Sequence, residues 1–170
     1  MEFKLAQAEH LDELCRITAD AKAQMRRLKL DQWQRGYPCR EDWARDIAAR
    51  RIFIAVEDGC ILGAFLFQTV PDASYAVIDG AWLSDAPYAT MHRVCVAETC
   101  KGQGIAGKLF TQGLNMAREQ GFASVRIDTH EENRPMRRAL EKAGFTLCGT
   151  VRLKGGCEDG SPRVTFEYLL

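Results

Sequence analysis

Apolar side chains recur early in the chain at steps of three and four. Leu11, Leu14, Ile17 and Ala21 follow this spacing, which gathers them on one face of a helix running towards Leu30. The stretch Trp33–Pro38 breaks that helix, and Trp43 with Ile47 marks the inner face of a second one over Glu41–Arg51. The pattern then changes. Ile52–Val56 and Ile61–Val70 are β runs on either side of Glu57-Asp58-Gly59, which is a hairpin pattern. Tyr75–Trp82 predicts a further strand. Met91–Val96 predicts another, with Arg93 and Cys95 on one face and His92, Val94 and Val96 on the other.

Helical spacing returns after Gly104, through Ile105, Leu109 and Ala117 to a stop near Gly121. Val125–Asp128 is a strand. Asn133 caps a helix that Gly144 ends. Phe145–Leu153 and Val164–Leu169 are two closing strands joined by a glycine-rich loop. This order predicts an α+β fold: a mixed, mainly antiparallel sheet with one central parallel β-α-β step and helices on both faces. The connections Trp33–Arg40 and Pro71–Ser74 are too short for domain linkers, so residues 1–170 form a single domain.

Composition narrows the function classes. Basic and acidic residues balance at 23 each, so bulk attraction to nucleic acid or an anionic membrane is not expected. The seven cysteines are odd in number and lack C-x-x-C spacing, which fits reduced thiols in the cytoplasm better than a disulfide framework or a metal site. The opening MEFKLAQAEH has no apolar signal core. The expectation is a cytoplasmic protein with no metal, no nucleic acid and no membrane among its partners.

One segment carries distinctive chemistry. Gly102-Gln103-Gly104-Ile105-Ala106-Gly107 spells G-x-G-x-x-G, and Asp128 follows about twenty residues on, as in a dinucleotide-binding fingerprint. Two features oppose that reading. The polar segment Ala97–Lys101 separates the strand from the first glycine, and the surrounding elements are not repeated parallel β-α units. Glycines before a helix nonetheless let backbone amides face a phosphate, where the helix N-terminus stabilises negative charge. A tight turn with no ligand would use the same glycines.

The run Lys101–Ala106, followed by Gly107-Lys108-Leu109, resembles the [R/Q]-x-x-G-x-[G/A] element of the GNAT superfamily of N-acetyltransferases. Val94-Cys95-Val96 upstream, and Asn133 with Gly144-Phe145 downstream, extend the resemblance over roughly the second half of the chain. It implies a GNAT-like fold and transfer of an acetyl group from acetyl-CoA directly to a primary amine. It also implies that Val94, Cys95 and Val96 pair with the pantetheine arm, and that Lys101, Gly102, Gln103, Gly104, Ile105, Ala106 and Gly107 hold the pyrophosphate. Val125–Thr129 would splay from its neighbour, and Asn133 would bond near the thioester. Lys101 departs from the commoner Arg or Gln and is expected to act as a mobile point charge. Leu140 stands where many relatives carry a tyrosine acid.

The acceptor amine must lose a proton before attack. Asp128, five residues before Asn133, is the first candidate base, although a capping role fits it too. His130 and His92 are the alternatives, and for each a structural hydrogen bond is the competing role. Trp33, Tyr37, Asp79 and Trp82 are candidates for an aromatic, acidic acceptor site, with simple packing as the competing reading. The acceptor is expected to be a small molecule, and homodimers are common in the resembled family. Two other functions stay open: an acyl-CoA-binding module without turnover, and a dinucleotide-binding oxidoreductase.

Overall fold

The computed structural model describes residues 1–170. Strands β1 (Glu2–Leu5), β2 (Ile52–Glu57), β3 (Cys60–Gln68), β4 (Asp79–Gly80), β5 (Tyr88–Val96), β6 (Ser124–Thr129), β7 (Thr146–Arg152) and β8 (Pro162–Leu169) form one sheet. Its order is β1-β2-β3-β5-β6-β8-β7-β4. All pairs are antiparallel except β5 with β6. Helices α1 (Leu11–Arg27) and α2 (Arg40–Ala48) precede the hairpin β2–β3, α3 (Ile105–Glu119) links β5 to β6, and α4 (Arg134–Lys142) follows β6.

Strand alternation feeds two cores. Ile52 and Ile54 of β2 face Leu14, Ile17, Trp43 and Ile47 of α1 and α2. On the opposite face Phe65, Phe67, Met91, Ile127 and Phe166 meet Leu109, Phe110 and Leu114 of α3 and Leu140 of α4. The expected α+β architecture, with its one parallel step and helices on both faces, is the fold observed.

Three local expectations are corrected. First, Tyr75–Trp82 is not a strand: Ala73–Ala76 is a single 3-10 turn, capped by the Asp72 carboxylate accepting from the Ser74 amide, and only Asp79–Gly80 is extended. The apolar spacing there serves packing of the Tyr75 and Trp82 rings, whose centroids lie 5.3 Å apart. Second, α1 ends at Arg27 rather than Leu30. Third, β5 does not alternate strictly. Leu66 pairs with His92 and Ala64 with Cys95, so Arg93 and Val94 together stand opposite Phe65. This is a β-bulge, and Arg93 occupies it with φ of 51°. The extra residue leaves His92, opposite Leu66, on the same side of the sheet as Arg93 and Cys95. Val94 and Val96 pack towards α3.

Candidate active site

The parallel pairing of β5 and β6 is short. Tyr88, Ala89 and Thr90 pair with Ser124, Val125 and Arg126, and the strands then separate. Two clefts open at this fork. One, of about 690 Å³, runs between α1, α3 and α4. The other, of about 420 Å³, lies on the far side, under the loop between β7 and β8. Val94, Asn133, Met136 and Met25 line both.

The larger cleft gathers the residues expected to hold a cofactor: Val94, Cys95, Val96, Lys101, Gly102, Gly104, Ile105, Ala106, Gly107 and Asn133. Gln103 is the exception; its side-chain amide turns back to donate to the Thr99 carbonyl at 2.9 Å, away from the cleft. Gly104 caps α3 with φ of 77°, a conformation that costs a residue with a Cβ roughly 1 kcal/mol or more. The first bond of the helix is Lys108 N–H to the Gly104 carbonyl at 3.2 Å, so the preceding amides at the helix N-terminus are free to meet an anion. Gly107 has no positive φ, and a Cβ there would touch nothing in the protein. Neither backbone nor packing demands this glycine, but a bound pyrophosphate lying against the first helical turn would. The residues present therefore fit coenzyme A.

Lys101 is not the mobile charge expected. Its ammonium donates to Gln24 Oε1 of α1 at 2.5 Å and pairs with Glu98, pinning the loop to the first helix. Asn133 caps α4, its side-chain oxygen accepting from the Met136 amide at 3.3 Å while its Nδ2 donates to Gln32 at 3.3 Å. Burial pushes the Cys95 thiol up to about 12, so it is an inert wall. Leu140 is fully buried among the α3-side residues, where a tyrosine hydroxyl would meet an apolar core.

The smaller cleft is lined by charge. Asp128 on β6 accepts from the Tyr75 hydroxyl at 2.7 Å through Oδ2, and the same oxygen lies 3.7 Å from His92 Nδ1. Burial, then the charge of Asp128, pushes the Tyr75 phenol well above its usual range, which keeps it a donor. On its other side, His92 Nε2 lies 3.3 Å from Asp72 Oδ2 but at an angle that leaves it without a satisfied hydrogen bond. Burial alone would raise the Asp72 carboxyl; the opposing contributions of His92 and the Ser74 amide outweigh it and bring the group down to about 2. The result is an imidazole held between two carboxylates.

Across the cleft, Arg93 is buried with its guanidinium paired to Asp46 and its Nε donating to the Tyr37 hydroxyl at 2.7 Å. It stacks over the Tyr37 and Trp43 rings at 5.1 and 5.3 Å. Arg51 and Arg45 reach the same Asp46. These contacts hold Arg93 in its left-handed bulge, a conformation that persists only where the surroundings over-determine it. Trp33 and Tyr37 line this cleft as expected. The Trp33 amide donates to Glu158 at 2.5 Å, and Glu158 pairs with Arg163 at 3.3 Å, fastening the β7–β8 loop over the opening.

Three sequence expectations do not reach either cleft. His130 lies in the turn after β6, where Nδ1 accepts from the Glu132 amide at 3.0 Å and Nε2 lies 3.3 Å from Asp31; strand parity fails because β6 ends at Thr129. Asp79 is exposed on β4 at the far edge of the sheet, paired with Thr150. Trp82 covers the buried Arg126, whose guanidinium sits 4.0 Å from the Trp82 ring and 3.9 Å from the Tyr88 ring while bonding Glu167 at 2.9 Å. Conversely, Asp72, Arg93 and Asp46 belong to the cleft and were not anticipated there. Their signal in the sequence was faint: a loop aspartate two residues before a serine, and charged residues at strand and helix positions that would otherwise be core.

The fold is shared with known proteins. The acetyltransferase (GNAT) family matches residues 17–145. The chain belongs to the GNAT family of acetyltransferases. A GNAT-family acetyltransferase from Streptococcus agalactiae is 30% identical, with a TM-score of 0.87 over 99% of this chain and 95% of that one. A ribosomal-protein-alanine N-acetyltransferase from Brucella melitensis shares the fold at 18% identity, with a TM-score of 0.71 and all of both chains covered. So does yncA from Salmonella typhimurium, solved with its cofactor acetyl-CoA, at 16% identity and a TM-score of 0.68 over 100% of this chain and 94% of that one. No curated protein matches the sequence. No helix of this GNAT protein is long and apolar enough to cross a membrane, and no group of three or more His, Cys, Asp or Glu side chains is placed to hold a metal ion.

Proposed function

We propose that this GNAT protein transfers the acetyl group of acetyl-CoA directly to the primary amine of a small molecule. The observation that carries the reading is the meeting of two chemically different clefts at the β5–β6 fork, with Val94 and Asn133 as shared wall. The glycine-lined cleft suits the pyrophosphate and pantetheine. The charged cleft, at about 420 Å³, is of the size that holds a small acceptor.

The residues divide the work as follows. Asp128 takes the ammonium proton: one of its oxygens is held by Tyr75, and the other makes no hydrogen bond within the chain. His92 sets the carboxylate's orientation from the opposite side. The neutral amine then forms the C–N bond as the C–S bond breaks and the thiolate departs, and the nitrogen gives up its second proton to water. Peptide groups on the strand edges freed by the fork face the reacting carbonyl, where donors act on developing charge. With Leu140 in place of a tyrosine, the departing thiolate takes its proton from water.

Thermal unfolding with acetyl-CoA or NAD tests the first half. Acetyl-CoA at a hundredfold excess over its Kd adds about 2.7 kcal/mol, a rise of roughly 5–10 °C in Tm for a chain of this size, whereas NAD adds nothing. No shift with acetyl-CoA would sink the reading, and a shift with NAD would restore the oxidoreductase. An amine panel with free-thiol detection tests the second half. Binding without thiol release from any amine would make this a binding module.

A further inference from the structure

The charged cleft is polarised, and the polarity names an acceptor class. One end is acidic. Asp72 and Asp128 flank a single imidazole, so even with His92 protonated the three groups carry surplus negative charge. The other end is basic. Arg45, Arg51 and Arg93 crowd on the side of α2 and β2, and two carboxylates, Asp42 and Asp46, answer three guanidiniums. Arg51 lines the cleft, and its Nε is buried without any hydrogen-bond partner. Its guanidinium reaches only Asp46, a carboxylate that Arg45 and Arg93 share, so this end keeps positive charge that an anion would answer.

Arg51, just before β2, and His92 of β5 lie on opposite sides of β3. The Arg51 carbonyl accepts from the Phe67 amide at 2.8 Å, and Phe67 pairs with Met91, the neighbour of His92. Two strand spacings, about 10 Å, therefore separate the backbone of Arg51 from that of His92, and the long arginine side chain shortens the gap. A plain alkylamine would satisfy only the acidic end, and a polyamine would place a second cation among the arginines.

We infer that the acceptor is a zwitterion: an amine that also carries a carboxylate or comparable acid, with its ammonium at the free oxygen of Asp128 and its anion against Arg51. This rests on the acetyltransferase reading above and specifies its substrate.

The test compares kcat/KM for amino acids of increasing chain length with kcat/KM for their amides and their decarboxylated amines, following thiol release with acetyl-CoA. At least one amino acid should exceed its amide by about tenfold or more, the worth of a charge-assisted hydrogen bond. Arg51→Gln should bring that ratio close to one, and Arg51→Lys, which keeps a positive charge beside Asp46, should retain most of it. Amides or alkylamines acetylated as well as the acids would overturn the inference while leaving the acetyltransferase intact. An acid preference unmoved by Arg51→Gln would overturn it as well. Thiol release from no amine at all would bring down the acetyltransferase reading and the inference with it. Acetyl-CoA binding in the thermal assay separates that outcome from a misfolded preparation.

Discussion

The two clefts that meet at the β5–β6 fork are built from opposite materials. The larger is made of backbone and small or apolar side chains: glycine amides at the start of α3, Val94 and Val96 of β5, Ala106 and Ala139. The smaller is made of long charged side chains that hold one another in place, with Asp46 serving three arginines and His92 lying between two aspartates. A site made of backbone is specified by where side chains are missing. A site made of side chains depends on every partner in the network, because removing one leaves another charge buried and alone.

Substitutions can break this contrast at graded cost. The largest effect is expected from Asp128→Asn, which should lower kcat/KM for the acceptor by roughly 10²–10⁴-fold, the usual contribution of a general base. The Kd of acetyl-CoA, measured calorimetrically, should stay unchanged. A matching loss in cofactor affinity would show that the clefts are not separable. Next is Asp46→Ala, which strands the buried Arg93 guanidinium and should cost about 3–5 kcal/mol in denaturant unfolding. Gly104→Val acts through the other material. It forces a β-branched residue into φ of 77° beside the phosphate cradle. It should weaken acetyl-CoA binding by about ten- to a hundredfold while costing only ~1–2 kcal/mol of stability.

A smaller, pH-dependent effect sharpens the charged side of the comparison. The Asp72 carboxyl is held down to about 2, below the ~3.9 of an unfolded aspartate. Its contribution to stability is therefore fully present above pH ~4 and is lost as pH falls through about 2, because the unfolded state binds its proton first. The stability difference between the native protein and Asp72→Asn should shrink across that window. A difference independent of pH would mean that Asp72 acts through packing. Its partial exposure keeps the effect modest. Smallest of all, Asp79→Asn at the far sheet edge should leave acceptor kinetics unchanged and stability within ~0.5 kcal/mol. A rise in acceptor KM would return Asp79 to the site.

The same contrast explains what was legible in the sequence. Helical periods in α1, α3 and α4 and the β runs from Ile52 to Gln68 expressed the core directly, because each face packs against one neighbour. The glycine-lined cleft was equally readable, since Val94–Gly107 is one continuous segment whose glycines act through local conformation. The charged cleft was legible only in part. Asp128, His92, Trp33 and Tyr37 were candidates, whereas Asp46, Asp72 and Glu158 come from separate elements and meet them only in the folded sheet. The bulge at Arg93 also defeated the period of two, since nothing local announces an arginine in a left-handed conformation; distant partners on α2 and the Tyr37 loop hold it there. Trp82 and Asp79 were misplaced for a related reason. Their segment crosses to the sheet edge to cover Arg126 and pair with β7, an assignment fixed by the buried Arg126–Glu167 pair.

Val94, Asn133, Met136 and Met25 belong to both clefts, and this common wall ties the two equilibria together. A molecule seated on one side becomes part of the surface presented to the other. Whatever factor bound acetyl-CoA applies to the acceptor's affinity, the acceptor must return to acetyl-CoA unchanged, since the coupling free energy is a property of the ternary state and has no direction.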